Sequence, residues 1–134
     1  MIKVFCDGGS RSNPGHAAFG FVVKDNDKII KRGQGYLGIA TNNFAEYTAV
    51  IKALAWLKTG NSGKDLDFYL DSQLAVSQLN GLYKIKNANI RELVFKVRQL
   101  ETNFKQVTYT HIPRAQNSEA DTLVNLALDE HLYK

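Results

Sequence analysis

The chain has 134 residues, 44% hydrophobic and 22% charged, with 17 basic residues against 13 acidic for a net charge of +4. That length suits one core and a single domain over residues 1–134, and the lone cysteine, Cys6, excludes a disulfide framework. The opening Met-Ile-Lys-Val reads as a strand rather than a leader, and no stretch has the character of a membrane span, so a cytoplasmic protein with a reduced thiol is expected.

Ile2–Cys6 is short and rich in strand formers, and Asp7-Gly8-Gly9 is expected to stop it. Phe19–Lys24 and Lys28–Tyr36 read as a hairpin around Asp25-Asn26-Asp27. From Asn43 the period changes: Phe44, Tyr47, Val50, Ile51, Leu54 and Leu57 recur at helical steps and predict a helix ending near Gly60. Leu66–Leu70 reads as a strand closed by Asp71, and Ser72–Leu79 as a short helix stopped by Asn80-Gly81. Ile90–Leu100 carries an apolar stripe of Ile90, Leu93, Val94, Val97 and Leu100. Val107–Ile112 alternates like a strand and meets Pro113, after which Glu119–Glu130 reads as the last helix. The order β-β-β-α-β-α-α-β-α makes an α/β fold, a mixed sheet covered by helices on both faces.

Asp7, Glu46, Asp71 and Asp121 lie in four separate segments, each where a strand is expected to end or a helix to begin. Carboxylates are hard oxygen ligands suited to Mg²⁺ or Mn²⁺. Without a cation, two such charges about 4 Å apart repel by roughly 4 kcal/mol at an effective dielectric of ~20. Each acid also has a local explanation. Asn43-x-x-Glu46 and Ser118-x-x-Asp121 match capping boxes, Asp71 stands before Ser72 as a cap, and Asp7 before two glycines matches an Asx turn. Taken together they favour a site, because functional groups of α/β sheets collect at the carboxyl ends of strands and at the helix starts that follow. Setting the four acids aside leaves nine acidic residues against 17 basic, with clusters at Lys24, Lys28, Lys31 and Arg32 and at Lys84, Lys86 and Arg91. Such a surface attracts a polyanion.

Four motifs occur in order: Asp7-Gly8-Gly9-Ser10-x-x-Asn13-Pro14-Gly15, Thr41-Asn42-Asn43-x-Ala45-Glu46, Asp71-Ser72-Gln73, and His111-x-Pro113-Arg114-x-x-Asn117-x-x-Ala120-Asp121-x-Leu123. Over nearly its whole length the chain resembles type 1 ribonuclease H. The resemblance implies a ribonuclease H-like fold, a five-stranded mixed sheet with three antiparallel strands and then two parallel ones. It implies cleavage of the RNA strand of RNA–DNA hybrids to 5′-phosphate and 3′-hydroxyl ends, two Mg²⁺ or Mn²⁺ ions on the four acids, and no obligate protein partner.

By the same resemblance Asp7 is the bridging ligand, Asp71 and Asp121 serve the side of the attacking water, and Glu46 serves the leaving group. His111, ten residues before Asp121, matches a proton-shuttling histidine, and Arg114 in the same loop matches a phosphate contact. Gly8 and Gly9 are expected to let backbone approach the nucleic acid, and Asn13, Asn42, Asn43 and Gln73 to meet the minor groove or ribose hydroxyls. Thr41 and Asn87 resemble a pocket for a DNA-strand phosphate.

Two departures stand out. Ile39 occupies a position where some members carry arginine, and the short Asn80–Lys86 connection lacks a basic protrusion, leaving Tyr83, Lys84 and Lys86 as local substitutes.

Other readings are weaker. A catalytically silent nucleic-acid-binding module has no use for four acids facing a polyanion. A DNA nuclease or strand-transfer enzyme of this architecture usually lacks the set Asn13, Asn42 and Gln73. An actin-like ATPase needs a second domain, and neither a phosphate-binding Gly-x-x-x-x-Gly-Lys-Ser/Thr loop nor Cys/His metal spacing is present.

Overall fold

The computed structural model describes residues 1–133; Lys134, the last residue of the expected domain, lies outside them. The elements are β1 (Ile2–Arg11), β2 (Gly15–Asp25), β3 (Lys28–Ala40), α1 (Asn42–Lys58), β4 (Asp65–Leu70), α2 (Gln73–Leu79), α3 (Ala88–Glu101), β5 (Gln106–His111), a 3₁₀ turn (Arg114–Asn117) and α4 (Ser118–Leu132). The sheet order is β3-β2-β1-β4-β5, with β1, β2 and β3 antiparallel and with β4 parallel to both β1 and β5.

Strand alternation sends Ile2, Val4 and Cys6 of β1 to one face, where they join Tyr47, Val50, Leu54 and Leu57 of α1 and Ile90, Leu93 and Val97 of α3 in the main core. The opposite face takes α4, whose Val124, Ala127 and Leu128 bury Ala18 of β2. The two-residue turn at Asn26-Asp27 has φ of 49° and 66°, left-handed values that Asn and Asp tolerate and that suit a tight hairpin.

The first three strands run further than expected. β1 does not stop at Cys6, because β2 pairs with it continuously from Ile2↔Asp25 to Arg11↔His16. Asp7 is therefore a mid-strand residue opposite Gly20, not an Asx-turn residue. Of the two glycines in that expected stop, Gly8 has a packing reason instead. A Cβ on Gly8 would lie 2.1 Å from the backbone carbon of Ala45 and 2.3 Å from the nitrogen of Glu46. Gly20 does the same on the other face, where a Cβ would meet the Ala120 carbonyl oxygen at 2.7 Å. One bare position on each face thus lets α1 and α4 lie close against the two central strands.

Candidate active site

β1 and β4 stay in register only as far as Cys6↔Leu70, and the next residue on each strand is an acid, Asp7 or Asp71. There β4 ends while β1 continues with β2, so the edge of β1 beyond Cys6 has no strand beside it. Its outward amides find helix side chains instead. Gly8 N donates to Glu46 Oε1 at 3.0 Å, and Ser10 N donates to Asn42 Oδ1 at 2.8 Å. Two residues of strand advance about 6.7 Å and four residues of helix about 6 Å, so Asn42 and Glu46, one turn apart on α1, match the spacing of the free donors. That match pins Glu46 beside Asp7.

The local explanations for the acids do not hold. Thr41 caps α1, its Oγ1 accepting from Phe44 N at 3.1 Å, so Asn43 and Glu46 form no capping box. Ser72 rather than Asp71 caps α2, its Oγ accepting from Ala75 N at 3.2 Å. α4 emerges from the 3₁₀ turn at Asn117 with no side-chain cap, which removes Ser118-x-x-Asp121 as a box. The acids are left available for one another.

Asp7, Glu46 and Asp71 offer carboxylate oxygens that lie within 4.8 Å of one another. Asp7 is 7% and Glu46 4% exposed, and Glu46 Oε2 is buried with no hydrogen-bond partner. Burial pushes the Asp7 carboxyl up to about 7, with the charges of Asp71 and Asp121 adding to the rise. Burial likewise holds Glu46 well above the usual carboxylate range, the Asp7 charge adding to it and the Gly8 amide opposing it. Asp121 lines the same pocket of about 490 Å³ from α4. An oxygen-only donor set this buried, with one oxygen unpartnered, fits a hard divalent cation. A cation among these carboxylates relieves both the repulsion and the orphaned oxygen.

The sequence profile of the family described as reverse transcriptase-like matches residues 5–127, and ribonuclease H of Ruthia magnifica is 31% identical over 96% of both chains. The chain belongs to the ribonuclease H family. Ribonuclease HI of Halobacterium salinarum is 40% identical over 96% of this chain. The chain spans 65% of that relative's length and 35% of the length of mycobacterial relatives that are 36% identical to it. The crystal structure of LC11-RNase H1 in complex with an RNA/DNA hybrid superposes with a TM-score of 0.95 at 35% identity, over 98% of this chain and 99% of that one.

Around the acids of this ribonuclease H-family chain, the pocket wall also carries Gly8, Gly9, Asn42, Asn43 and Arg114. Gly9 has room for a side chain, since a Cβ would meet only Val124 Cγ1 at 3.8 Å, whereas Gly8 is explained by α1 rather than by an approaching ligand. Asn13 at the β1–β2 turn accepts from Asn42 N through Oδ1 at 3.0 Å, so it buttresses the start of α1. Both amide oxygens of this Asn pair are thus engaged, and their Nδ2 groups are left as donors.

Thr41 and Asn87 meet away from the acids. They cap α1 and α3 and line a separate pocket of about 330 Å³ together with Ile39. Two helix N-termini converging on one hollow suit an anion. Gln73 is the exposed first residue of α2 and His111 the exposed last residue of β5; neither lines the acidic pocket. His111 pairs with Leu70, one step before Asp71, which puts it at the pocket's edge.

Sequence reading assigned no role to Asn117. It is 1% exposed, and its Nδ2 donates to Cys6 O at 2.8 Å and to Asp71 Oδ2 at 3.4 Å, tying Asp71 to β1. An Asn in the same motif as His111 and Asp121 was visible, but nothing in sequence shows that its side chain is buried.

Proposed function

We propose that this chain hydrolyses the RNA strand of RNA–DNA hybrids, leaving 5′-phosphate and 3′-hydroxyl ends, with two Mg²⁺ or Mn²⁺ ions held by Asp7, Glu46, Asp71 and Asp121. The observation that carries the reading is the converging carboxylate trio, with Asp7 and Glu46 buried and Glu46 Oε2 unpartnered. Divalent cations bound there supply Lewis acidity, lowering the pKa of the attacking water and balancing charge on the leaving oxygen.

Asp7 would be the ligand shared by both ions, because it is the common neighbour whose carboxyl interacts with Glu46, Asp71 and Asp121. Asp71, steadied by Asn117, and Asp121 on α4 flank the side of the attacking water, and Glu46 flanks the leaving 3′ oxygen. His111 moves the proton between site and solvent, for which an exposed imidazole is suited. Arg114, 3.6 Å from Asp121, contacts phosphate at the pocket mouth.

Discrimination of RNA falls to the amide groups of Asn13, Asn42, Asn43 and Gln73, which can donate to the 2′-hydroxyl or to base edges in the shallow minor groove. Gly9 keeps that approach clear of a side chain. Thr41 and Asn87 take a phosphate of the DNA strand. The LC11-RNase H1 complex with an RNA/DNA hybrid supports this substrate class. Among the described residues no helix is long and apolar enough to cross a membrane, and the buried thiol of Cys6 suits a cytoplasmic setting.

The test is cleavage of a labelled hybrid, with Mg²⁺ and with Mn²⁺, by the wild type and by Asp71→Asn. Robust cutting by the wild type and none by the variant is expected, and activity surviving the substitution refutes the metal site. Binding without cutting in either metal sinks the enzyme reading. A matched DNA duplex cut as fast as the hybrid makes the chain a DNA nuclease.

A further inference from the structure

Asp121 is placed differently from the other three acids. Asp7 sits in a paired strand, Glu46 is pinned by the Gly8 amide, and Asp71 is tied by Asn117. Asp121 instead stands in the first turn of a helix whose start has no side-chain cap. One of its anchors, Arg114, is 81% exposed and 3.6 Å from Oδ1, and an exposed ion pair of that kind restrains little.

A second anchor lies on α4 itself. Asp121, Asn125 and Asp129 are spaced by four residues and so share one face of the helix. Asn125 Nδ2 reaches Asp121 twice, at 3.1 Å to its carbonyl oxygen and 3.5 Å to Oδ2. Opposite them is Arg11, the last residue of β1. Its Nη2 lies 2.7 Å from Asp129 Oδ1 and donates to Asn125 Oδ1 at 3.3 Å.

This arrangement fixes which way the Asn125 amide faces. A guanidinium has donors and no acceptor, so the atom it meets must be Oδ1, and the NH₂ is then turned to Asp121. Asp129 pairs with Arg11 at the shorter distance of 2.7 Å and takes up its charge. The chain of contacts runs from the end of β1 across to α4 and back along it to Asp121, and both Arg11 and Asn125 line the acidic pocket.

We propose that Asn125 is a positioning residue for Asp121, oriented by Arg11 and Asp129, and that together they set the affinity of the site for its second cation. The inference rests on the nuclease reading above. Asn125 does not touch the reacting atoms; it acts by holding a carboxylate whose other anchor, the exposed Arg114, restrains it little.

The experiment compares wild type, Asn125→Ala, Arg11→Ala and Asp121→Asn by two readouts. One is Mn²⁺ binding to the substrate-free protein by titration calorimetry; the other is hybrid cleavage as a function of Mn²⁺ concentration. Loss of a group that orients a metal ligand commonly costs about 10- to 100-fold in metal affinity or activity. Asn125→Ala is expected to raise the Mn²⁺ concentration for half-maximal cleavage about tenfold and to lower kcat with KM unchanged. Arg11→Ala leaves the amide in place but free to turn, and should shift the same curve in the same direction by less.

The proposal is overturned if both variants keep the wild-type Mn²⁺ curve and kcat while Asp121→Asn loses them. It is also overturned if KM rises and the metal curve stays put, which would make Asn125 a substrate contact. Should Asn125→Ala fail to fold, Arg11→Ala alone decides. A wild type that binds Mn²⁺ but cuts no hybrid ends the nuclease reading, and the calorimetric affinities still judge the positioning role.

Discussion

A carboxyl group that holds its proton to about pH 7 ionises within the working range of most enzymes, and Asp7 is such a group. In the unfolded chain it ionises near its ordinary 3.8. At acid pH both states carry the proton and Asp7 costs the fold nothing. As the pH climbs from near 3.8 through about 7, the fold must accept a buried charge that the unfolded chain already carries in water. Stability of the cation-free protein attributable to Asp7 is thus present at low pH and lost over that window. In chelator the thermal midpoint is expected to fall between about pH 5 and about pH 8, and Asp7→Asn should remove the share due to Asp7 while leaving that of the buried Glu46. Adding Mn²⁺ at the higher pH should restore the wild type and leave the variant nearly unmoved. A midpoint that is flat in chelator over this range, or that falls equally in the variant, contradicts the assignment. The identities of the four acids were legible because a carboxylate is conspicuous at a strand or helix boundary. The role of Asn117 was not, since its burial depends on how the 3₁₀ turn packs under β1 and β4.

Element order was legible throughout, because each helix and strand carries its own apolar period. Boundaries were less so. Asp7-Gly8-Gly9 reads locally as a break, but the β2 ladder supplies partners to Arg11 and overrides that preference. The cap of α1 was likewise misplaced by two residues, from Asn43 to Thr41, since both residue types cap well and only the helix geometry chooses between them. The packing reason for Gly8 gives a paired test. Gly8→Ala drives a methyl group into the backbone of α1 and is expected to destabilise by about 1–3 kcal/mol or more, since main chain cannot yield as a side chain can. Gly9→Ala, one residue along but facing α4, places its methyl 3.8 Å from Val124 and should stay within about 0.5 kcal/mol of wild type. Urea denaturation measures both. Equal losses at the two positions would show that strand propensity, not the closeness of α1, governs them.

Across the whole molecule, two hollows of different lining stand apart in a way that sequence could only suggest. Four acids gather at one pocket, while an anion-suited hollow at Thr41 and Asn87 lies between the starts of α1 and α3. On the proposed function, a hybrid held at both places would also meet the Asn80–Lys86 segment, where Leu82 and Tyr83 are 71% and 58% exposed and Lys84 and Lys86 supply the charge. With no basic protrusion there, each lysine should carry a visible share of affinity. Lys84→Ala and Lys86→Ala are each expected to weaken hybrid binding at low salt and to flatten the dependence of log affinity on log salt by about one unit for a lysine that meets phosphate. An unchanged slope for both would move the contact to Arg91 and the remainder of α3.

Asn42 and Glu46 of α1 do the hydrogen bonding of an absent strand along the free edge of β1, and this makes the Gly8 amide proton a built-in reporter. Its acceptor, Glu46 Oε1, belongs to the same carboxylate whose other oxygen is unpartnered. Any ion that draws electron density from that carboxylate loosens its hold on the proton. The amide resonance of Gly8, in a backbone otherwise unaltered, would then register occupancy of the site in solution without a substrate, a label or a single turnover.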